Sequence, residues 1–169
     1  MIREYEVTYI IKEYLMKQGW YILAYNPPGS QGTFTIPNPT KDPEYRGQTG
    51  SESPDIIALK SNEEIVEILI VECKSEYDED DIQKMRTLFG SKDRRGVFLE
   101  IVVKQALANG YKIDPKRKIV ITLAKAHGGE IRPIRDMKTF HIETINLTWN
   151  PECFSAKEDI NKYFKITES

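Results

Sequence analysis

The chain has 169 residues, with 24 Lys and Arg against 26 Asp and Glu and a formal net charge of −2. The length predicts one domain that buries roughly two thirds of its extended surface without staples, and the slight acidic balance argues against tight, indiscriminate binding to nucleic acid. Two cysteines build no disulfide scaffold and point to free thiols in a reducing cytoplasm, while neither a secretory leader nor a run of roughly 18 apolar residues is found.

Residues 4–18 place Val7, Ile10, Ile11, Tyr14 and Leu15 at helical spacing, and Gly19 follows as a stop. Residues 20–25 (WYILAY) read as the first strand, with 33–36 (TFTI) as a candidate extension. The stretch 26–53 is too rich in Pro, Gly, Ser, Asn and Thr for a long helix, and a connection of this length is expected either to work or to be disordered. Its Gly47-Gln48-Thr49-Gly50 is not a phosphate-binding P-loop, because no Gly-Lys-Ser/Thr follows and no helix starts there.

Next comes a hairpin: residues 55–59 (DIIAL) and 65–74 (IVEILIVECK) are β-branched runs, and 60–64 (KSNEE) between them is polar enough to turn. Strand alternation puts Glu72 and Lys74 on one face with Ile68 and Ile70, and Cys73 on the other with Leu69 and Val71. Two apolar faces predict a strand inside a sheet covered on both sides. Asp55 opens the neighbouring antiparallel strand, so it falls beside the end of the second one, within reach of Glu72. Two carboxylates meeting there repel unless a cation or a shared proton compensates. Mg²⁺, with Mn²⁺ as an alternative, is the expected cation because it favours oxygen ligands and keeps its waters.

Residues 80–89 predict a helix that opens on acidic side chains and carries Ile82, Met85 and Phe89 on one side. The acidic run 76–81 is read as charge suited to that N-terminus. A second helix is expected over 96–109, with Val97, Ile101, Val102 and Ala108 inward, then a strand at 118–123 (KIVITL). Beyond it, His127-Gly128-Gly129 predicts a turn, 130–134 and 140–147 two strands, and Ser155-Ala156-Lys157-Glu158 a capping box opening a terminal helix through Phe164. Trp149, Phe154, Tyr163 and Phe164 in this tail are expected to pack on the sheet or to form a dimer surface. His127 and His141 make no metal spacing with Cys73 or Cys153, which argues against zinc.

Pro54, Asp55, Glu72 and Lys74, set on a hairpin in this way, resemble the PD-(D/E)xK nuclease superfamily of restriction endonucleases and Holliday-junction resolvases. The resemblance covers roughly residues 3–124 and leaves 125–169 as an extension of the same domain. It implies an α/β fold of the restriction endonuclease-like type, a central mixed sheet flanked by helices. The expected order is a helix, a three-stranded antiparallel meander, a second helix and a further strand. It implies that Asp55, Glu72 and the Cys73 carbonyl bind Mg²⁺, and that Lys74 orients or activates the attacking water. Many members also carry a first-helix Glu about three turns before the terminating Gly. Thr8 holds that position here, so Glu6 or Glu4 is the substitute, and Glu6 is taken as the candidate ligand. Gln83, nine residues after Lys74, is the candidate for a helix residue directed at the substrate phosphate. Loops near 26–53 contact the groove in such proteins, which makes Lys41, Arg46 and Gln48 candidate contacts.

Residues 84–118 hold ten Lys and Arg against three Asp and Glu, a local excess able to neutralise phosphates on one face of a duplex. Lys92, Arg94 and Arg95, expected between two helices, are the best phosphate contacts in it. The sequence thus predicts a Mg²⁺-dependent endonuclease acting on DNA, with a homodimer as the simplest way to cut both strands. The alternatives are a catalytically weak DNA-binding subunit of a larger complex and an α/β protein-interaction scaffold.

Overall fold

The computed structural model describes residues 1–29, 53–90, 92–150 and 159–169. The elements run α1 (Glu4–Lys17), β1 (Tyr21–Tyr25), β2 (Ile56–Ser61), β3 (Ile65–Lys74), α2 (Glu79–Gly90), α3 (Lys92–Ala108), β4 (Lys118–His127), β5 (Lys138–Thr144), a 3₁₀ turn (Ile160–Lys162) and β6 (Phe164–Glu168). The expected extension at 33–36, Lys41, Arg46, Gln48, Cys153, Phe154 and the capping box 155–158 lie outside the described residues.

The strands form one mixed six-stranded sheet in chain order, β1 to β6. β1, β2 and β3 are an antiparallel meander; β4 is parallel to β3, β5 parallel to β4, and β6 antiparallel to β5. A parallel β3–β4 pair needs a long crossover, and α2 with α3 supplies it. The resulting α/β architecture, a mixed sheet flanked by three helices, matches the expected fold class at that level. No helix among the described residues is long and apolar enough to cross a membrane.

β3 explains why the sheet has a layer on each side. Ile68 and Ile70 face a core with Ile57, Leu59, Ile82, Met85, Phe89, Phe98 and Val102, whereas Leu69, Val71 and Cys73 face one with Val7, Ile10, Ile11, Leu15, Phe140 and Phe164. Each fully buried aliphatic side chain contributes about 1.5–3 kcal/mol, so covering both faces is what stabilises this hairpin. Gly19, at φ +86°, ends α1 in the left-handed region that glycine adopts without strain.

Five expected elements differ. α3 begins at Lys92 rather than at 96, so Lys92, Arg94 and Arg95 occupy its first turn instead of a loop between helices. Its inward stripe is Phe98, Val102 and Ala106. β4 runs four residues past Leu123, to His127. The strand expected at 130–134 is irregular, and β5 spans Lys138–Thr144. Phe164 starts a strand instead of ending a helix, because Phe164 and Ile166 alternate with Lys165 and Thr167 and pair in register with Thr144 and Ile142. Trp149 and Tyr163 pack with Phe164 against the α1-side core.

Gly128 closes the strand ends together. Its N–H donates to the Ser75 carbonyl at 3.1 Å, and a Cβ there would stand 2.7 Å from Ile2 Cγ2 and 3.0 Å from the Ser75 oxygen. Gly128→Ala is therefore expected to cost about 1–3 kcal/mol through overpacking against backbone. A thermal melt should show a loss of about 2–4 °C per kcal/mol at this chain length.

Candidate functional site

Strand register brings the two carboxylates together. Ile56 pairs with Val71; one step further along the same antiparallel pair, Asp55 stands opposite Glu72 on the face that looks toward α2. Their carboxyl groups are within hydrogen-bonding reach of each other. Another step on, Pro54 stands opposite Cys73 and has no N–H to continue the ladder. That leaves the Cys73 carbonyl without a ladder donor from Pro54, and the Cys73 N–H donates to Asp55 Oδ2 at 2.7 Å. Because N–H and C=O of one strand residue point to the same side, the Cys73 carbonyl also faces Asp55. Proline thus supplies no ladder N–H to that carbonyl.

Asn26 fixes this turn and carries no signal in the sequence. Buried at the end of β1, it donates its backbone N–H to the Asp55 carbonyl at 2.8 Å and its Nδ2 to the Pro54 carbonyl at 2.9 Å.

Burial comes first for both groups, and Asp55 then adds to the rise of Glu72. Loss of solvent is the main reason the Asp55 carboxyl rises from 3.8 to about 6; the Cys73 amide acts against it, and Glu4 adds to it. Glu72 is pushed well above the ordinary carboxylate range by burial first and by Asp55 second, with Lys125 opposing. Burial likewise holds the Cys73 thiol far up, so the side chain is packing while its main chain serves the site.

Lys74 leaves the strand end between two helices. Its Nζ is 3.2 Å from Glu4 Oε2 on α1 and 3.4 Å from Asp81 Oδ2 on α2. Partial desolvation pulls the amine down, but Glu4 and Asp81 outweigh it and hold the amine above its usual value. Burial tends to raise Asp81, yet Lys125, Lys74 and Lys84 together keep it lowered. A second lysine completes the network: Lys125 on β4 is in parallel register with Glu72, is fully buried, and lies 3.5 Å from Asp81 Oδ2.

Not every expected residue converges. Glu6 accepts from the Arg3 N–H at 2.7 Å and from Trp149 Nε1 at 3.2 Å, so it serves the helix N-terminus and the tail. Glu4 is the first-helix carboxylate turned to the site. Gln83 is exposed and donates to Glu79; on α2 it is Asp81 that reaches the lysines. Arg95 donates to the Phe89 carbonyl at 3.1 Å. The first turn of α3 lies roughly 13 Å or more along α2 from Asp81, at 1.5 Å per residue, so these basic residues do not join the carboxylates. His127 and His141 are buried, their rings 5.7 Å apart and each bonded to a glycine carbonyl.

No protein-family model, curated protein or solved structure matches this chain. The chemistry is therefore argued from the site alone. Among the described residues no group of three or more His, Cys, Asp or Glu side chains forms a metal cage. Magnesium does not need one, since it binds through one or two carboxylates and keeps several waters. Two desolvated carboxylates and a strand-end carbonyl fit that requirement.

Asp55 binds its proton more tightly folded (about 6) than unfolded (3.8), so its effect on stability is unfavourable above pH 6, fades as pH falls toward 4, and vanishes below both values. Asp55→Asn keeps an oxygen for the Cys73 amide and removes the repulsion. Melts in metal-free buffer should show the variant more stable than wild type at pH 7.5, by about 1–3 kcal/mol, and equal to it near pH 4. Greater stability of wild type at pH 7.5 would contradict this electrostatic picture.

Proposed function

We propose that this protein is a metal-dependent nuclease that hydrolyses DNA phosphodiester bonds. The observation that carries the reading is the meeting of Asp55 and Glu72 out of water, beside the Cys73 main chain and Lys74. The antiparallel β1–β2–β3 meander, the helical crossover and the parallel β4 support a restriction endonuclease-like fold, and the Pro54, Asp55, Glu72, Lys74 pattern supports membership of the PD-(D/E)xK superfamily.

Asp55, Glu72 and the Cys73 carbonyl would hold Mg²⁺. When bound, that ion polarises a phosphoryl oxygen and lowers the pKa of water beside it. Lys74, tethered by Glu4 and Asp81, is placed to orient the attacking water and to offset charge growing on the phosphate. Tethering on two helices restricts the lysine's rotamers, so little entropy is lost when it engages substrate. The sheet end that holds the carboxylates is the sort of crevice where open α/β sheets receive ligands.

DNA is favoured as substrate by the basic surface of α3. Lys92 and Arg95 are exposed at its start and Arg94 is partly exposed. A chain with one such site cuts one strand at a time, so a homodimer is the arrangement that would cut both.

Supercoiled, linear and branched DNA incubated with Mg²⁺ or Mn²⁺ provides the test. Cleavage by wild type should fall by about a hundredfold or more in Asp55→Asn, Glu72→Gln and Lys74→Met. Reversing charge at Arg94 and Arg95 should weaken binding and flatten its salt dependence, with little effect on the rate at saturating DNA. Metal-independent cleavage, or activity unchanged in Asp55→Asn, would overturn the reading.

A further inference from the structure

Lys125 is unusual for its place. On β4 the inward positions before it, Ile119, Ile121 and Leu123, pack into the α2 and α3 core, whereas Lys125 sends an ammonium into the same layer. Its side chain has no exposure and its Nζ has no hydrogen-bond partner. The carboxylate nearest along that face, Asp81, is 3.5 Å away, with an Oδ2 that is likewise buried and without a hydrogen bond. A charge in such a position is costly and persists only against compensating charge; here the compensation is the carboxylate cluster.

Counting that cluster sets a limit. Glu4, Asp55, Glu72 and Asp81 face Lys74 and Lys125, so with all groups ionised the site carries an excess of two negative charges. One divalent cation between Asp55 and Glu72 neutralises the excess. A second would leave an excess of two positive charges, and Asp81, on which it would draw, already has the Lys125 ammonium 3.5 Å from its Oδ2.

We infer that Lys125 stands where a second metal ion would otherwise sit, so that the site takes one divalent cation per chain. Lys125 is then a positioning residue: it keeps Asp81 as the tether of Lys74 and prevents it from serving as a metal ligand. The inference rests on the metal-dependent reading above and adds the stoichiometry and the residue that enforces it.

Mn²⁺ titration of the purified full chain, followed by calorimetry and by Mn(II) electron paramagnetic resonance, tests it without recourse to activity. Wild type should bind one Mn²⁺ at the site with no spin-coupled pair. Lys125→Met, which removes the buried positive charge but keeps the volume, should bind Mn²⁺ tighter by roughly tenfold, while Lys125→Arg should bind as wild type does. DNA cleavage should move the opposite way in Lys125→Met, falling despite tighter metal, a split that general loss of structure would not give. Two coupled Mn²⁺ ions in wild type, or unchanged or weaker binding in folded Lys125→Met, would overturn the inference and leave the nuclease reading standing if DNA is still cut. Absence of any Mn²⁺ binding by wild type would overturn both. Should Lys125→Met not fold, the wild-type stoichiometry and spin coupling decide alone.

Discussion

Two carboxylates held together out of water are the constraint around which this molecule is arranged. Asp55 and Glu72 face each other because β2 and β3 are in a fixed antiparallel register, and that register is fixed because both faces of the hairpin are buried. A slip of one residue would turn Ile68 and Ile70 to the α1 side and carry Glu72 away from Asp55. The packing that stabilises the sheet is thus also what brings the two carboxyl groups together out of water, and burial first, with Asp55 adding to Glu72, raises their proton affinities.

The surrounding elements read as answers to that repulsion. The Cys73 amide donates to Asp55, while the Pro54 carbonyl opposite it accepts from Asn26. α1 contributes Glu4 and α2 contributes Asp81, both aimed at Lys74; β4 contributes Lys125 beside Glu72. Sheet and both helical layers therefore meet in one charge network at one strand end. With every member ionised such a network carries a net negative charge, which under the proposed reading a cation would satisfy.

Much of this was legible in the chain because it depends on local pattern. β-branched runs of alternating sense, a polar turn and a proline-aspartate start predict the hairpin, and 3.6-residue spacing predicts α1 and α2. What was hidden depends on contacts between distant segments. Lys125 escaped because Ala124-Lys125-Ala126-His127 lacks β-branched residues, and no turn ties β3 to β4 to reveal their parallel register. Glu4 and Glu6 differ only in helix phase, and it takes the packing of α1 against the sheet to show which one meets Lys74. Asp81 looked like ordinary N-terminal helix charge, which it also is. The Arg94-Arg95-Gly96 run mimics a loop, yet Phe98, Val102 and Ala106 behind it bury enough surface to draw the helix back to Lys92. In the tail, Phe164 and Ile166 carried a two-residue alternation that the preceding capping-box pattern obscured.

The most direct test of the central claim is a crystal structure of the wild-type protein soaked in Mn²⁺, with anomalous scattering used to locate the ion. The account predicts a single anomalous peak bounded by Asp55, Glu72 and the Cys73 carbonyl, with the two carboxyl groups parted to receive it and Lys125 still beside Asp81. The absence of any anomalous peak between Asp55 and Glu72 at saturating Mn²⁺ would contradict it.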